Sequence, residues 1–194
     1  MKTKLSVDLE PVTTATLRRV AGTFATGVTV VTTITEERPQ GCAANAVASL
    51  SLDPPLMLVC LNRESNTHDH LSRSRIFAIN ILDDSAKSRT LCRSFAQQSG
   101  RKFQNVKFRS GLIGVPILTQ AMSWLECELV DAHPSGDHTI FIGKVVAAEE
   151  TRRMPLISFR GRFGELSVNP PVTATPTDSP LLMNWSMTTW APLG

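Results

Sequence analysis

Residues 123–148 read SWLECELVDAHPSGDHTIFIGKVVAA. Two strand-like runs, Ser123–Ala132 and His138–Ala148, flank Pro134-Ser135-Gly136-Asp137. Turn residues between two β-forming runs read as a hairpin. A hairpin joins antiparallel neighbours, whereas a parallel pair needs a long crossover. The fold is therefore approached as an antiparallel sheet.

The sequence on either side extends that sheet. Upstream, Thr13 or Thr14 caps a helix expected to run to about Ala25, with Leu17, Val20, Ala21 and Phe24 on one face and Gly27 as its stop. Val28–Ile34, rich in Val and Thr, reads as a strand, and Glu36–Gly41, with Pro39, reads as a turn. Cys42–Leu50 is small and apolar. Asp53-Pro54-Pro55 forbids helix, and Leu56–Leu61 reads as a buried strand. Ser65-Asn66-Thr67 offers caps for a short helix through Leu71. Arg75–Leu82 is a strand. Ser85–Gln98 is a helix with Leu91, Cys92 and Phe95 inward and Gly100 as its stop. Lys102–Thr119 looks irregular. Downstream of the hairpin, Leu156–Phe159 forms a last strand.

From about Ser167 the composition turns to Pro, Thr and Ser, with Trp185 and Trp190 able to dock on the body or on another chain. The expected organisation is one domain over residues 1–166 and a tail over 167–194. Few helices and many hairpins exclude a doubly wound parallel sheet and fit a mainly β barrel with peripheral helices.

The bulk numbers narrow the function. Hydrophobic residues make up 42% and charged residues 19%, an ordinary globular balance. The net charge of +3 comes from scattered pairs such as Arg18-Arg19, Arg73 and Arg75, and Arg152-Arg153. These read as solvated faces rather than a nucleic-acid stripe, although a modest positive field favours phosphate-bearing ligands. The first ten residues, with Asp8 and Glu10, carry no apolar leader, and no apolar run reaches the length of a membrane span. Cys42, Cys60, Cys92 and Cys127 lie far apart and form no CxxC pair, so they read as small hydrophobes in a reducing cytoplasm.

No nucleophile, metal or nucleotide-loop signature stands out. There is no GxSxG, no GxGxxG after a strand and no GxxxxGK[ST]. His68 and His70 sit two apart on a helix, on different faces, and read as exposed. The pairs Asp83-Asp84 and Glu149-Glu150 stand at element ends and read as solvated.

Three local features point to a ligand. Ser65-Asn66-Thr67 at a helix start is an anion-type site, though most helices begin this way. His138, at a hairpin mouth, either reaches into a cleft as a donor or is a surface histidine after a turn. Gly41-Cys42-Ala43-Ala44-Asn45-Ala46 surrounds one amide with small residues. That backbone either admits a flat ligand or packs tightly as a strand.

Taken together, these segments resemble the flavin reductase family, the small reductase components of two-component flavin monooxygenases. The resemblance runs through Phe24–Thr32, Gly41–Ala46, Ser49–Leu56, Val59–Leu61, Ser65–Thr67, Phe77–Leu82 and Lys102-Phe103. It continues through Trp124–Cys127, Gly136–Ile140 and Arg160–Phe163, and spans roughly residues 15–165 in order. It implies a split β-barrel of the FMN-binding type, dimeric with a second copy, that reduces free FMN or FAD with NADH or NADPH for a monooxygenase partner. It also implies site residues. Ala43, Ala44, Asn45 and Ala46 would lie along the isoalloxazine, and Thr26, Gly27 and Val28 would also bind the cofactor. Ser51, Ser65, Asn66 and Thr67 would lie near the ribityl phosphate. Lys102 and Phe103 would border the flavin, and His138, Arg160, Gly161 and Arg162 would place the nicotinamide nucleotide.

The chain departs from the family pattern at Ala43 and Ala46, where Thr and Ser are frequent, at Arg101, where Asp is frequent, and at Phe159, where His is common. Loss of two hydroxyls implies a loosely held flavin or a changed FMN/FAD preference. The competing readings are a flavin carrier and an oxidoreductase with tightly bound flavin acting on another acceptor.

Overall fold

The computed structural model describes residues 11–36, 38–97 and 102–167. The first ten residues, Gly100, Arg101 and the tail with Trp185 and Trp190 lie outside the described residues.

The elements in chain order are α1 (Thr14–Ala21), β1 (Thr26–Gly27), β2 (Thr29–Thr35), β3 (Arg38–Ala44), β4 (Val47–Leu52), β5 (Pro55–Asn62), α2 (Asn66–Ser74) and β6 (Ile76–Leu82). They continue with α3 (Ala86–Ala96), β7 (Phe108–Ser110), β8 (Pro116–Leu118), β9 (Ala121–Ser135), β10 (His138–Glu149), β11 (Ile157–Phe159) and β12 (Arg162–Gly164). A seven-stranded sheet runs β3-β2-β6-β9-β10-β5-β4, and β1-β11-β12 form a small second sheet. Every ladder is antiparallel.

The two edges of the large sheet, β3 and β4, are joined by only Asn45 and Ala46. Six strand spacings would put the edges of a flat sheet about 29 Å apart, yet three Cα steps reach at most about 11 Å. The sheet must therefore roll until its edges nearly meet. No β3–β4 ladder forms among the described residues, so the cylinder stays open along this seam. The link is sewn to the body by the Cys60 amide, which donates to the Ala46 carbonyl at 2.9 Å.

Rolling explains the inner core. Val31 of β2, Val59 and Leu61 of β5, Phe77 and Ile79 of β6, Cys127 and Leu129 of β9, and Phe141 of β10 form one cluster with Leu71 of α2. Only a curled sheet brings β2 and β5 to the same interior. A second cluster on the outer face joins Val28, Val30 and Leu82 to Leu91, Cys92 and Phe95 of α3, as the helical spacing predicted. Because β2 is covered on both faces, it shows no apolar–polar alternation. Its buried threonines instead donate to carbonyls: Thr29 to Ala44 (2.7 Å), Thr32 to Pro116 (2.5 Å) and Thr33 to Ile76 (2.7 Å).

Several local expectations are corrected. The first helix ends at Gly22, and Gly27 lies in β1 rather than stopping it. Pro39 lies inside β3 opposite Ile34, which an edge strand tolerates because it can leave one side unpaired. The β9–β10 hairpin has a two-residue loop, Gly136-Asp137, with Ser135 opposite His138. A positive φ of 63° at Gly136 followed by an ordinary one is the II′ pattern, which glycine adopts without strain. The stretch read as irregular contains the β7–β8 hairpin, and Arg160-Gly161 turns β11 into an unforeseen β12.

Two polar readings also change. Asp83 is buried rather than solvated. It accepts from the Ser85 and Ser88 hydroxyls at 2.6 and 2.5 Å and pairs with Arg153 at 2.6 Å. His68 is not exposed either, since it bonds the Thr139 hydroxyl at 2.9 Å and meets the Phe141 ring edge-on. His70 bonds Thr35, so the two histidines do face apart. Among the described residues no helix is long and apolar enough to cross a membrane.

Candidate functional site

A cleft of about 600 Å³ opens where the β3–β4 link, β5, the end of α1 and the β11–β12 turn meet. The link contributes Asn45 and Ala46, β4 contributes Val47 and Ala48, and β5 contributes Leu58 and Cys60. These two β5 side chains alternate with Val59 and Leu61, which point into the inner core. One strand thus supplies core on one face and cleft wall on the other. Arg18, Ala21 and Gly22 line the cleft together with Phe24, Thr26 and the Arg160-Gly161 turn. The turn is pinned to the helix by the Arg160 amide, which donates to the Gly22 carbonyl at 2.7 Å. Arg160 (φ 49°) and Gly161 (φ 72°) are both left-handed, the signature of a two-residue I′ loop.

The chemistry of the cleft is specific. The Thr26 hydroxyl is buried with no hydrogen-bond partner. A buried polar atom without a partner costs free energy, and this one belongs to a residue that lines the cleft, where a ligand's polar group would satisfy it. Asn45 is exposed and can donate and accept. The wall of small residues leaves backbone accessible, and Arg18 and Arg160 supply positive charge. Among the described residues no carboxylate lines the cleft. Burial raises the Cys60 thiol above its ordinary value, so at neutral pH it stands as a neutral thiol, not a nucleophile.

The structure brings together Thr26, Asn45, Ala46, Arg160 and Gly161 from the residues the sequence singled out. Gly27 pairs with Ile157 beside the cleft, and Val28 is buried in the outer core. Ala43 packs on that outer core and Ala44 on the inner one. Ser51 stands at a register shift in β4.

Ser65 caps α2 by accepting from the His68 amide at 3.1 Å, Asn66 is exposed, and Thr67 is buried. Lys102 is committed to carbonyls, donating to Gly41 and Phe95 at 3.1 Å each, and burial lowers its ammonium pKa. Phe103 is wedged edge-on between Phe95 and Phe108.

His138 lies at the hairpin tip opposite Asn62, and its Nδ1 contacts Asp137 at 2.8 Å. The hydrogen bond from His138 holds the Asp137 carboxyl below its ordinary value. Arg162 faces a separate hollow with Arg89, Arg93 and Phe163.

Sequence reading missed the α1 residues, Val47, Ala48, Leu58, Cys60 and Ser158. The period-2 pattern of β5 held a signal for Leu58 and Cys60. Nothing local pointed to Arg18.

Comparison with known proteins bears on this site. The family model described as flavin reductase like domain matches residues 21–167. The reductase component of a 4-nitrophenol 4-monooxygenase/4-nitrocatechol 2-monooxygenase from Rhodococcus opacus is 40% identical over 156 residues, covering 80% of this chain and 83% of that protein. An FMN reductase (NADH) from Agrobacterium fabrum is 39% identical over 150 residues, covering 77% of this chain and 84% of that one. The solved NADH:FAD oxidoreductase of Streptomyces globisporus C-1027, in complex with NAD and FAD fragments, superposes with a TM-score of 0.75 at 36% identity, covering 80% of this chain and 94% of that chain.

Proposed function

This chain belongs to the flavin reductase like domain family, and on that premise we propose that it uses NADH or NADPH to reduce free FMN or FAD and hands the reduced flavin to a monooxygenase component. It is an oxidoreductase of the flavin reductase class. The observation that carries the finer reading is the cleft itself, where an orphaned Thr26 hydroxyl, the Asn45 amide and a wall of small residues meet two arginines.

These residues fit a flavin. Thr26 and Asn45 match the carbonyls and ring nitrogens of an isoalloxazine, and Ala46 and Ala48 let a flat ring lie against the link. When both are bound, the nicotinamide supplies hydride to flavin N5, so the protein needs no nucleophile of its own. Its task is to hold the two rings at stacking distance and keep water away. His138 is read as a positioning residue for the nicotinamide nucleotide, from the hairpin tip. Ala46 withholds a hydroxyl from the flavin, which favours a dissociable substrate over a tightly held prosthetic group.

A second copy of the chain is part of this reading. Helix α1 has eight residues and none is buried, while Leu17, Val20 and Phe24 are 59%, 59% and 77% exposed. A helix so short is not stable in isolation, so its apolar face calls for a cover. We take that cover to be the partner subunit of a homodimer, and sedimentation equilibrium checks it. The four free cysteines suit a reducing cytoplasm.

The deciding experiment is NADH or NADPH oxidation by the purified protein with and without added FMN or FAD. Oxidation that depends on added flavin supports the reading. No flavin-dependent oxidation with either nucleotide overturns it, and flavin retained through desalting shows a prosthetic group instead.

A further inference from the structure

A hollow of about 400 Å³ lies along α3, lined by Thr90, Leu91 and Ser94 of that helix, by Asn105 and Val106, and by Gln120 after β8. None of its lining residues lines the cleft. Leu91 and Val106 tie it to the outer core. Its polar groups are short of donors. Gln120 buries its Oε1 without a hydrogen-bond partner. The Thr90 hydroxyl donates to the Ala86 carbonyl at 3.0 Å, and the Ser94 hydroxyl donates to the Leu91 carbonyl at 2.7 Å. Both hydroxyls have spent their hydrogens on the helix and can only accept. The donors that line the hollow, on Lys87 and Asn105, belong to exposed residues. A phosphate or carboxylate would face these acceptors. The occupant that fits is an apolar group carrying one hydrogen-bond donor, which relieves the buried oxygen.

The chain carries such a group beyond the described residues. Pro170, Pro171 and Pro176 mark a spacer. Residues 179–194 then hold Leu181, Leu182, Met183, Trp185, Met187 and Trp190 and no charged residue. That composition is too apolar for a linker and calls for a surface to cover it. It lies past residue 167, where the family domain ends. An indole is a large apolar ring with a single donor and no acceptor, and a buried one finds a partner for its N–H.

The reach is ample. Glu165 pairs with Arg89 of α3 at 2.9 Å, so the described chain ends beside this helix. Trp185 stands 18 positions after Ser167. That many residues span up to about 60 Å when extended, whereas crossing one helix takes about 10–12 Å. Tethering on the same chain supplies an effective concentration on the order of millimolar.

We propose that residues 180–190 fold back over α3 of their own chain and seat the Trp185 indole in this hollow, with its N–H donated to the Gln120 Oε1. Trp185 takes the hollow rather than Trp190 because Leu181, Leu182 and Met187 flank it with apolar surface on both sides. The contact braces the helix that supports β3, whose Gly41 sits so close to the Phe95 ring that a Cβ there would meet it at 2.9 Å.

Nuclear magnetic resonance of the full chain labelled with ¹⁵N-tryptophan tests it. Trp185→Phe and Trp190→Phe assign the tail indole signals, and the third belongs to Trp124 of β9. The Trp185 indole N–H is expected to exchange with solvent about tenfold more slowly than that of Trp190. Gln120→Leu, which keeps the side chain's size and removes its acceptor, is expected to cut that protection about fivefold, for one neutral hydrogen bond. Trp185→Phe is expected to speed amide exchange along α3, and adding Gln120→Leu to it should change little further, because the two act through one contact.

A Trp185 N–H that exchanges as fast as that of Trp190 overturns the proposal. So does protection untouched by Gln120→Leu, or effects of the two substitutions on α3 that simply add. Protection lost on dilution places the segment on a second copy and overturns it as well.

Discussion

The inner core and the cleft are built in part by the same strand, and they differ in what they leave unsatisfied. On β5, Val59 and Leu61 are 0% and 3% exposed and pack among residues from four other strands. Two positions of the other parity, Leu58 and Cys60, are only half-buried and face the cleft. Polar groups beside the inner core are paired: His68 reaches Thr139, and the β2 threonines reach carbonyls. The cleft leaves the Thr26 hydroxyl without a partner and gathers arginines without carboxylates. Close packing stabilises the fold, whereas unspent polar capacity is what a ligand can use. Substitutions in the first region should therefore cost stability, and those in the second should cost binding.

The sharpest test of the interior is Phe141→Ala. It removes a fully buried ring and the edge-on partner of His68. A loss of about 3–5 kcal/mol in urea unfolding is expected, with flavin affinity per folded molecule little changed. A large binding defect at full stability would break the comparison.

Asp83→Asn comes next, with an expected loss of about 2–3 kcal/mol, because a buried charged acceptor is removed from Arg153 and the start of α3. Its pH dependence has a definite sign. Burial raises the Asp83 carboxyl, but the hydrogen bonds from Ser85 and Ser88 and the Arg153 charge outweigh that and hold it below its ordinary 3.8. The stabilisation is present above that value and disappears as pH falls through the lower folded-state value. Wild-type stability should show this acid component and the variant should lack it.

His138→Ala belongs to the ligand side. The expected result is a KM for the nicotinamide nucleotide raised about fivefold, near 1 kcal/mol, with the flavin dissociation constant little changed. An equal loss of both would place His138 with the flavin or with the structure of the hairpin tip.

The smallest stability effect is expected at Thr26→Val. The hydroxyl has no partner to lose, so unfolding should shift by less than about 0.5 kcal/mol. Flavin binding should weaken about fivefold, for one neutral hydrogen bond. A stability loss with unaltered flavin affinity would make Thr26 part of the core instead.

Sequence reading reached different depths in these two regions. The helix starts near Thr13, Ser65 and Ser85 and the inward set of α3 were legible because each depends on residues within a turn or two. The β9–β10 hairpin was legible for the same reason, apart from its loop, which is two residues shorter than expected. Asp83 was misread because its partner Arg153 is 70 positions away. Lys102 was expected to border the flavin on resemblance, whereas the structure commits its ammonium to the Gly41 and Phe95 carbonyls.

The sequence by itself determined an antiparallel, mainly β chain with capped peripheral helices, and through its ordered short motifs it placed the chain in its family. Period-2 and period-3.6 patterns and turn chemistry act over a few residues, so they can be read along the chain. Only the tertiary structure decided which side chains meet. The two-residue link at Asn45 and Ala46 forces the sheet to roll, and that roll sets Thr26, Cys60, Arg18 and Arg160 around one cleft. Their convergence depends on pairings between positions far apart in sequence, where no local pattern operates.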